Sequence, residues 1–372
     1  MAKAKTKGKA GKLSYDLTIL VPVLLLLAVG LVLVYSSSNH LAEHRLGDSY
    51  FYLKRQVLFC LIGVTLMLLA KHIPYTLYAK LAYPLLAVSF GFLVLLHIPG
   101  VGHTVNHACR WLRVGGFSFQ PSELAKFSLC IYLAYSMAKK ATYMDSFSRG
   151  LAPHLVIAGV FMLLIAMEPD FGTAAIIGAW VLTLLFVGGA RFRYLLVIFA
   201  VLAALSYWMI RRADYRIERL LAFFNPWEDP AGIGYQIIHS FLAFGSGGIF
   251  GAGLGASKQK LFYLPEPHTD FILSIAAEEL GLVGVAVIVA VFGFLIYRGL
   301  RVALEARDLF ATYLALGLMF LLGLQVVINM AVVMGLLPTK GLSLPLISYG
   351  GSSLIINLAG IGILLNIASR NR

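Results

Sequence analysis

The side chains best suited to chemistry are ionisable groups set inside or beside long apolar runs: Arg110, Glu123, Lys126, Asp170, Arg216, Arg219, Asp270 and Lys340. A charge at membrane depth is costly, so each is either a working group or half of a structural pair. Glu123 and Lys126 follow Gln120-Pro121-Ser122 at i,i+3 spacing on one helix face, which suits a site or a self-neutralising pair. Asp170 lies in the tight turn Glu168-Pro169-Asp170-Phe171-Gly172, where a carboxylate also serves as a helix cap. Asp270 ends the run Pro265-Glu266-Pro267-His268-Thr269-Asp270 and opens an apolar stretch. Helical spacing places Asp270, Ser274 and Glu278 on one broad face, with Glu279 pointing away. Asp270 is therefore a cap or a general base. His268 has no second His at i+4 and reads as a structural hydrogen-bonder, not a metal ligand.

These groups must be positioned by membrane-spanning helices. The 372-residue chain is 60% hydrophobic and only 13% charged, with a mean hydropathy of +0.85, too much apolar surface for a water-soluble domain to hide. About 20 apolar residues cross the hydrocarbon. Such runs are laid out as ten expected spans: 17–37, 56–72, 77–97, 120–138, 151–168, 171–189, 194–210, 270–297, 309–334 and 343–367. The expected fold is an all-α integral membrane protein of about ten transmembrane helices. It has a basic tail at 1–16, one polytopic domain at 17–372, both termini in the cytoplasm and a long outer loop at 210–269 between spans 7 and 8.

Charge placement supports that layout. Seventeen of the 30 Lys and Arg residues, among them Lys3, Lys5, Lys7, Lys9 and Lys12, fall on the cytoplasmic side against only Asp16, Asp145, Glu305 and Asp308. The whole net charge of +13 thus faces the cytoplasm, as the positive-inside tendency requires, and nucleic acid is an unnecessary partner. Cys60, Cys109 and Cys130 are odd in number and unrelated in spacing, so they give neither disulfide framework nor metal pattern. The two halves show no sequence repeat of the kind found in inverted-repeat transporters.

The run from Pro338 to Ser353, Pro-Thr-Lys-Gly-Leu-Ser-Leu-Pro-Leu-Ile-Ser-Tyr-Gly-Gly-Ser-Ser, resembles the signature of the SEDS family (FtsW/RodA/SpoVE). Tyr35-Ser36-Ser37-Ser38, Ala108-Cys109-Arg110-Trp111, Gln120 to Glu123, Pro169 to Thr173, Arg219 to Pro226 and His268 to Phe271 agree in order, so the resemblance covers all ten spans. Lys340 in Pro-Thr-Lys-Gly is closer to the division and sporulation branches than to the elongation branch. His107, Cys109, Ser118, Glu168 and Pro267 depart from the family's usual residues.

The resemblance implies a peptidoglycan glycosyltransferase that polymerises lipid II at the outer face of the bacterial cytoplasmic membrane, at the division septum. Asp270 matches the family's essential carboxylate. Arg110, Lys126, Arg216, Arg219 and Lys340 are the cations available to a pyrophosphate, with Glu123 and Asp170 ordering the site. It also implies a divalent cation (Mg or Mn) at an unknown site, and complexes with a class B penicillin-binding protein and other division-complex membrane proteins. Two other readings stay open: a lipid II flippase or transporter, and a non-catalytic scaffold. A flippase needs polar groups along a path between both faces, whereas the ionisable groups here lie near the outer ends of spans.

Overall fold

The structure, a computed structural model, describes residues 16–105, 108–114, 117–212, 214–261 and 263–371. The basic tail, apart from Asp16, and His107 lie outside the described residues. The helices are α1 (Leu17–Leu46), α2 (Phe51–His72), α3 (Tyr75–Lys80), α4 (Ala82–Leu96), α5 (Pro121–Lys139), α6 (Ala152–Met167), α7 (Phe171–Val187), α8 (Phe192–Arg211), α9 (Asp214–Phe224), α10 (Tyr235–Gly247), α11 (Ile272–Leu304), α12 (Leu309–Val333) and α13 (Gly351–Asn371). Seven of the helical segments are long and apolar enough to cross a membrane, while α4 and α7 are shorter apolar helices.

Local chemistry sets many helix ends. Asp16 caps α1 by accepting from the Thr18 amide at 3.1 Å, and Asp308 caps α12 by accepting from the Ala311 amide at 2.9 Å. Gly47 closes α1 in the left-handed conformation, and Pro121 opens α5 where its missing N–H costs nothing. Within the bundle, close backbone approach replaces the hydrophobic drive that lipid does not supply. A Cβ on Gly30 would stand 2.9 Å from the Ile347 backbone, and one on Gly362 would meet the Met67 carbonyl. Both ends of the described chain reach one end of α11: Arg298 pairs with Asp16 at 3.5 Å, and the Asn371 amide donates to Val302 at 3.1 Å. The sequence reading, with both termini on one side, expects that arrangement.

Several expected boundaries are corrected. The span drawn at 343–367 begins as a helix only at Gly351, because Pro338, Pro345 and Gly350 keep 338–350 irregular and Leu346 takes a φ of 66°. The 77–97 span is divided at Leu81, three residues ahead of Pro84 near the start of α4. The 270–297 span starts at Ile272 and is broken at Gly281 (φ 69°, ψ −170°). The all-α expectation misses a small antiparallel sheet, β1 (Gly102–Val105), β2 (Ala108–Val114) and β3 (Phe117–Phe119), in order β1-β2-β3 with Leu112 opposite Phe119. The long connection at 210–269 holds two helices of its own, α9 and α10.

Candidate functional site

Asp270 sits on the turn just before α11 and does not cap it; the cap position is Phe271, with no side-chain hydrogen bond to the helix. Its backbone is clamped instead. The Asn329 amide on α12 donates to the Asp270 carbonyl at 3.0 Å and also to the Leu342 carbonyl, and Ser348 Oγ donates to the Thr269 carbonyl at 2.6 Å. The carboxylate rests against Gly341, where a Cβ would stand 3.0 Å from Oδ2. Glycine keeps that approach open.

Lys340 precedes that glycine. Its ammonium is buried and has no hydrogen-bond partner among the described residues, and its stem fills the space where a Cβ on Gly172 would go. Burial raises the Asp270 carboxyl to about 7, helped by Glu266 and opposed by Lys340, Arg110 and Arg219. Burial likewise lowers Lys340 to about 7, with Asp170 and Glu123 pulling upward and Lys126 and Arg110 pushing further down. The two groups thus meet near neutrality. A carboxylate and an ammonium poised this way are chemically suited to proton transfer and to holding an anion.

The other candidates fall into three roles. Lys126 and Glu123 form the neutralising pair at 2.8 Å, nearly buried, within the electrostatic reach of Lys340. Asp170 caps α7 through the Thr173 amide at 3.2 Å and also acts on Lys340, so the cap and the site share one residue. Arg110, on β2, donates from Nε to the Glu168 carbonyl at 3.4 Å and from Nη2 to the Pro169 carbonyl, which ties the sheet to the α6–α7 turn. Arg219 is exposed on α9 and within the field of Asp270. Arg216 stacks over Phe171 at 3.5 Å and donates to the Met209 carbonyl, which anchors it beside the Asp170 turn.

Sequence reasoning named Glu168, Glu278 and Glu279 without giving them a site role, and it missed Lys260. Glu168 is buried with both carboxyl oxygens unpartnered among the described residues, and burial with Asp170 raises it to about 8. Lys260 and Glu279 form a fully buried ion pair at 3.0 Å, with Ser36 donating to Glu279 at 2.6 Å. Glu278, expected on the Asp270 face, instead receives Ser257 Oγ and the Lys258 and Gln259 amides, while Ser274 bonds Ser240 at 2.8 Å. The signal was the pair Lys258 and Lys260 in the outer connection and two adjacent acids inside a span. Their pairing spans too much sequence to read directly.

No group of three His, Cys, Asp or Glu side chains suited to a metal occurs among the described residues. The surroundings of Asp270 are cation-rich, so the residues present do not fit a metal held by protein ligands alone.

The fold and site define a polytopic membrane protein with an ionisable cluster gathered at one end of its bundle. The chain belongs to the FtsW/RodA/SpoVE family of cell cycle proteins, whose profile matches residues 16–372. It is 48% identical to a Geobacter sulfurreducens protein named probable peptidoglycan glycosyltransferase FtsW, across 96% of this chain and 95% of that one. It is 43% identical to stage V sporulation protein E of Bacillus subtilis, covering 97% and 99%. Among solved structures, a chain of a peptidoglycan synthase complex that coordinates polymerization and crosslinking matches with a TM-score of 0.79 at 31% identity, over 96% and 98%. The rod shape determining protein RodA of Thermus thermophilus matches with a TM-score of 0.68 at 30% identity, over 97% and 98%.

Proposed function

We propose that this chain is a peptidoglycan glycosyltransferase that polymerises lipid II at the outer face of the bacterial cytoplasmic membrane during division. The observation that carries the site assignment is the Asp270 carboxyl, buried against Gly341 and raised to about 7, with Lys340, Arg110 and Arg219 acting on it. In the reaction, Asp270 takes the proton of the acceptor's sugar hydroxyl. The freed oxygen bonds to the donor's anomeric carbon as the bond from that carbon to the pyrophosphate oxygen breaks. The polyprenyl pyrophosphate leaves with the electron pair, and Lys340, Arg110 and Arg219 hold its charge. Lys126, Glu123 and Asp170 keep Lys340 in place. The divalent cation of the family resemblance is proposed to arrive with the pyrophosphate.

Replacing Asp270→Asn is nearly isosteric and removes the base. Purified, folded variant is expected to lose polymerisation of lipid II by at least ~10²–10⁴, the range for general-base loss. Near-wild-type glycan strands from that variant would remove Asp270 from the chemistry. The same assay separates this reading from a flippase or scaffold, neither of which makes polymer.

A class B penicillin-binding protein is the proposed partner, supported by the structural match to a chain of a synthase complex. It binds this chain at the septum and raises the polymerisation rate by favouring one arrangement of the 210–269 connection. Co-purified partner that docks yet leaves the rate unchanged would overturn activation.

A further inference from the structure

A charge pair inside a membrane bundle has to be satisfied by whatever else is buried with it. The Lys126 ammonium carries three N–H donors, and among the described residues Glu123 Oε1 alone accepts from it, at 2.8 Å. Beside the pair, α5, α12 and α13 leave a cavity of about 20 Å³ between them. Glu123, Lys126, Gln325 and Asn357 border it, and the rest of its wall is apolar, with Phe127 and Leu322 among the lining side chains. Gln325 is 2% exposed, and its Oε1 has no hydrogen-bond partner among the described residues. Asn357 has committed its amide nitrogen to Ser353, to the carbonyl at 2.8 Å and to Oγ at 3.2 Å, so its carbonyl oxygen is what it has left to offer. A cationic donor and two amide acceptors therefore border one small space.

The chemistry of that border selects its occupant. The ammonium repels a metal cation, while the Glu123 carboxylate and the two amide oxygens repel an anion. Hydrocarbon would leave the Gln325 oxygen and the spare Lys126 donors unpaired, which costs more than filling the space gains. A water is neutral, accepts and donates, fits a cavity of roughly 10–15 Å³ or more, and settles where about three hydrogen bonds meet it.

We propose that the cavity is a hydration site, in which a water accepts from Lys126 Nζ and donates to Gln325 Oε1 and Asn357 Oδ1, making Gln325 and Asn357 positioning residues for Lys126. The water fixes where the ammonium stands, and so fixes its action on Lys340. The groups that act on Lys340 are Lys126 and Glu123 from α5, Asp170 from the α6–α7 turn and Arg110 from β2. Gln325 also lies one helical turn from Asn329, which donates to the Asp270 carbonyl at 3.0 Å, so one stretch of α12 serves both the cation side and the base side. The hydration site stands on the cavity and its border. Its part in catalysis rests on the glycosyltransferase reading.

Radiolytic footprinting of the full chain in lipid nanodiscs tests the site without turnover. An X-ray pulse converts bound water to hydroxyl radical, and mass spectrometry reads oxidation of the ring beside it. Phe127, which lines the cavity, is expected to be oxidised several-fold more than Phe292, a buried ring of α11 outside it. Gln325→Leu removes an acceptor with little change of volume and is expected to bring Phe127 down to the Phe292 level. Gln325→Asn keeps an amide oxygen and leaves room for water, and is expected to restore the labelling. Phe127 oxidised no more than Phe292 in the wild-type chain, or undiminished in Gln325→Leu, would overturn the hydration site. A second arm reads lipid II polymerisation against pH, where loss of the Lys340 proton sets the alkaline limb of kcat/KM. Lys126 acts against that proton more strongly than Glu123 acts for it. With the water gone the ammonium swings onto Glu123 as its single partner, and its repulsion of Lys340 weakens. Gln325→Leu is therefore expected to move the alkaline limb to higher pH, and Gln325→Asn to return it. A limb that stays in place in Gln325→Leu would overturn the positioning of Lys126. A wild-type chain that makes no polymer would count against the glycosyltransferase reading, while the footprint decides the hydration site separately.

Discussion

At the scale of single residues, the site is two side chains that burial has brought to the same place on the pH axis from opposite directions. In the proposed reaction Asp270 works as a base when deprotonated, so activity is expected to rise as pH climbs through about 7. In the same proposal Lys340 holds an anion when protonated, so activity is expected to fall as pH climbs through its own value of about 7. The free enzyme's kcat/KM for lipid II is expected to be bell-shaped with its maximum near neutrality. Lys340→Arg separates the limbs, because a guanidinium stays charged throughout that range. The alkaline limb is expected to vanish in that variant while the acid limb remains; an unchanged alkaline limb would assign it to another group. Sequence alone singled out both residues, because a charge beside an apolar run is rare. It could not tell Asp270 the base from Asp270 the cap. That choice depends on Asn329, Ser348 and Gly341, which meet it from distant parts of the chain.

At the scale of elements, α11 is two helices joined at Gly281, and the break is filled by backbone from the end of α10. The Ala252 and Gly253 amides donate to the Glu278 and Glu279 carbonyls, and Gly248 and Ile249 accept from the Leu282 and Val283 amides, all at 2.9–3.1 Å. A glycine is required there, since a Cβ on Gly281 would meet Ile249 and Gly251 in a positive-φ conformation. Hydropathy read this stretch as one uninterrupted span because the inserted backbone carries no signature in side-chain pattern. The Lys260–Glu279 pair locks the insertion to Ser36 of α1. Lys260→Met leaves a buried carboxylate without its cation and is expected to cost about 3–5 kcal/mol, read as a lowered thermal midpoint in detergent. Adding Glu279→Met is expected to recover most of that loss. If the double variant were no more stable than Lys260→Met, the pair's charge balance would not be what holds the break.

At the scale of the whole molecule, the positive-inside count and the apolar runs made a polytopic fold legible before any helix was placed, because both are sums over many residues. The sheet that carries Arg110 was not legible, being short strands between Gly and masked by the apolar spans around it. Helix α8 stands out in the finished bundle: Leu195 is its single fully buried residue among the described ones, and it leans mainly on α7 and α9. Twenty residues of helix give it a length of about 30 Å, matched to an average hydrocarbon core. With so little protein to fix it, its tilt follows the lipid around it. Its end at Arg211 leads directly into α9 and Arg219, so acyl-chain length is expected to influence the position of that arginine. Vesicles built from short, medium and long acyl chains are expected to give different polymerisation rates for the wild-type chain, with Arg219→Gln flattening that dependence. A wild-type rate indifferent to chain length would mean that α8 is held by something stiffer than the bilayer. The expected dependence would make membrane thickness a tuning screw for this chain, set by the cell's choice of fatty acids.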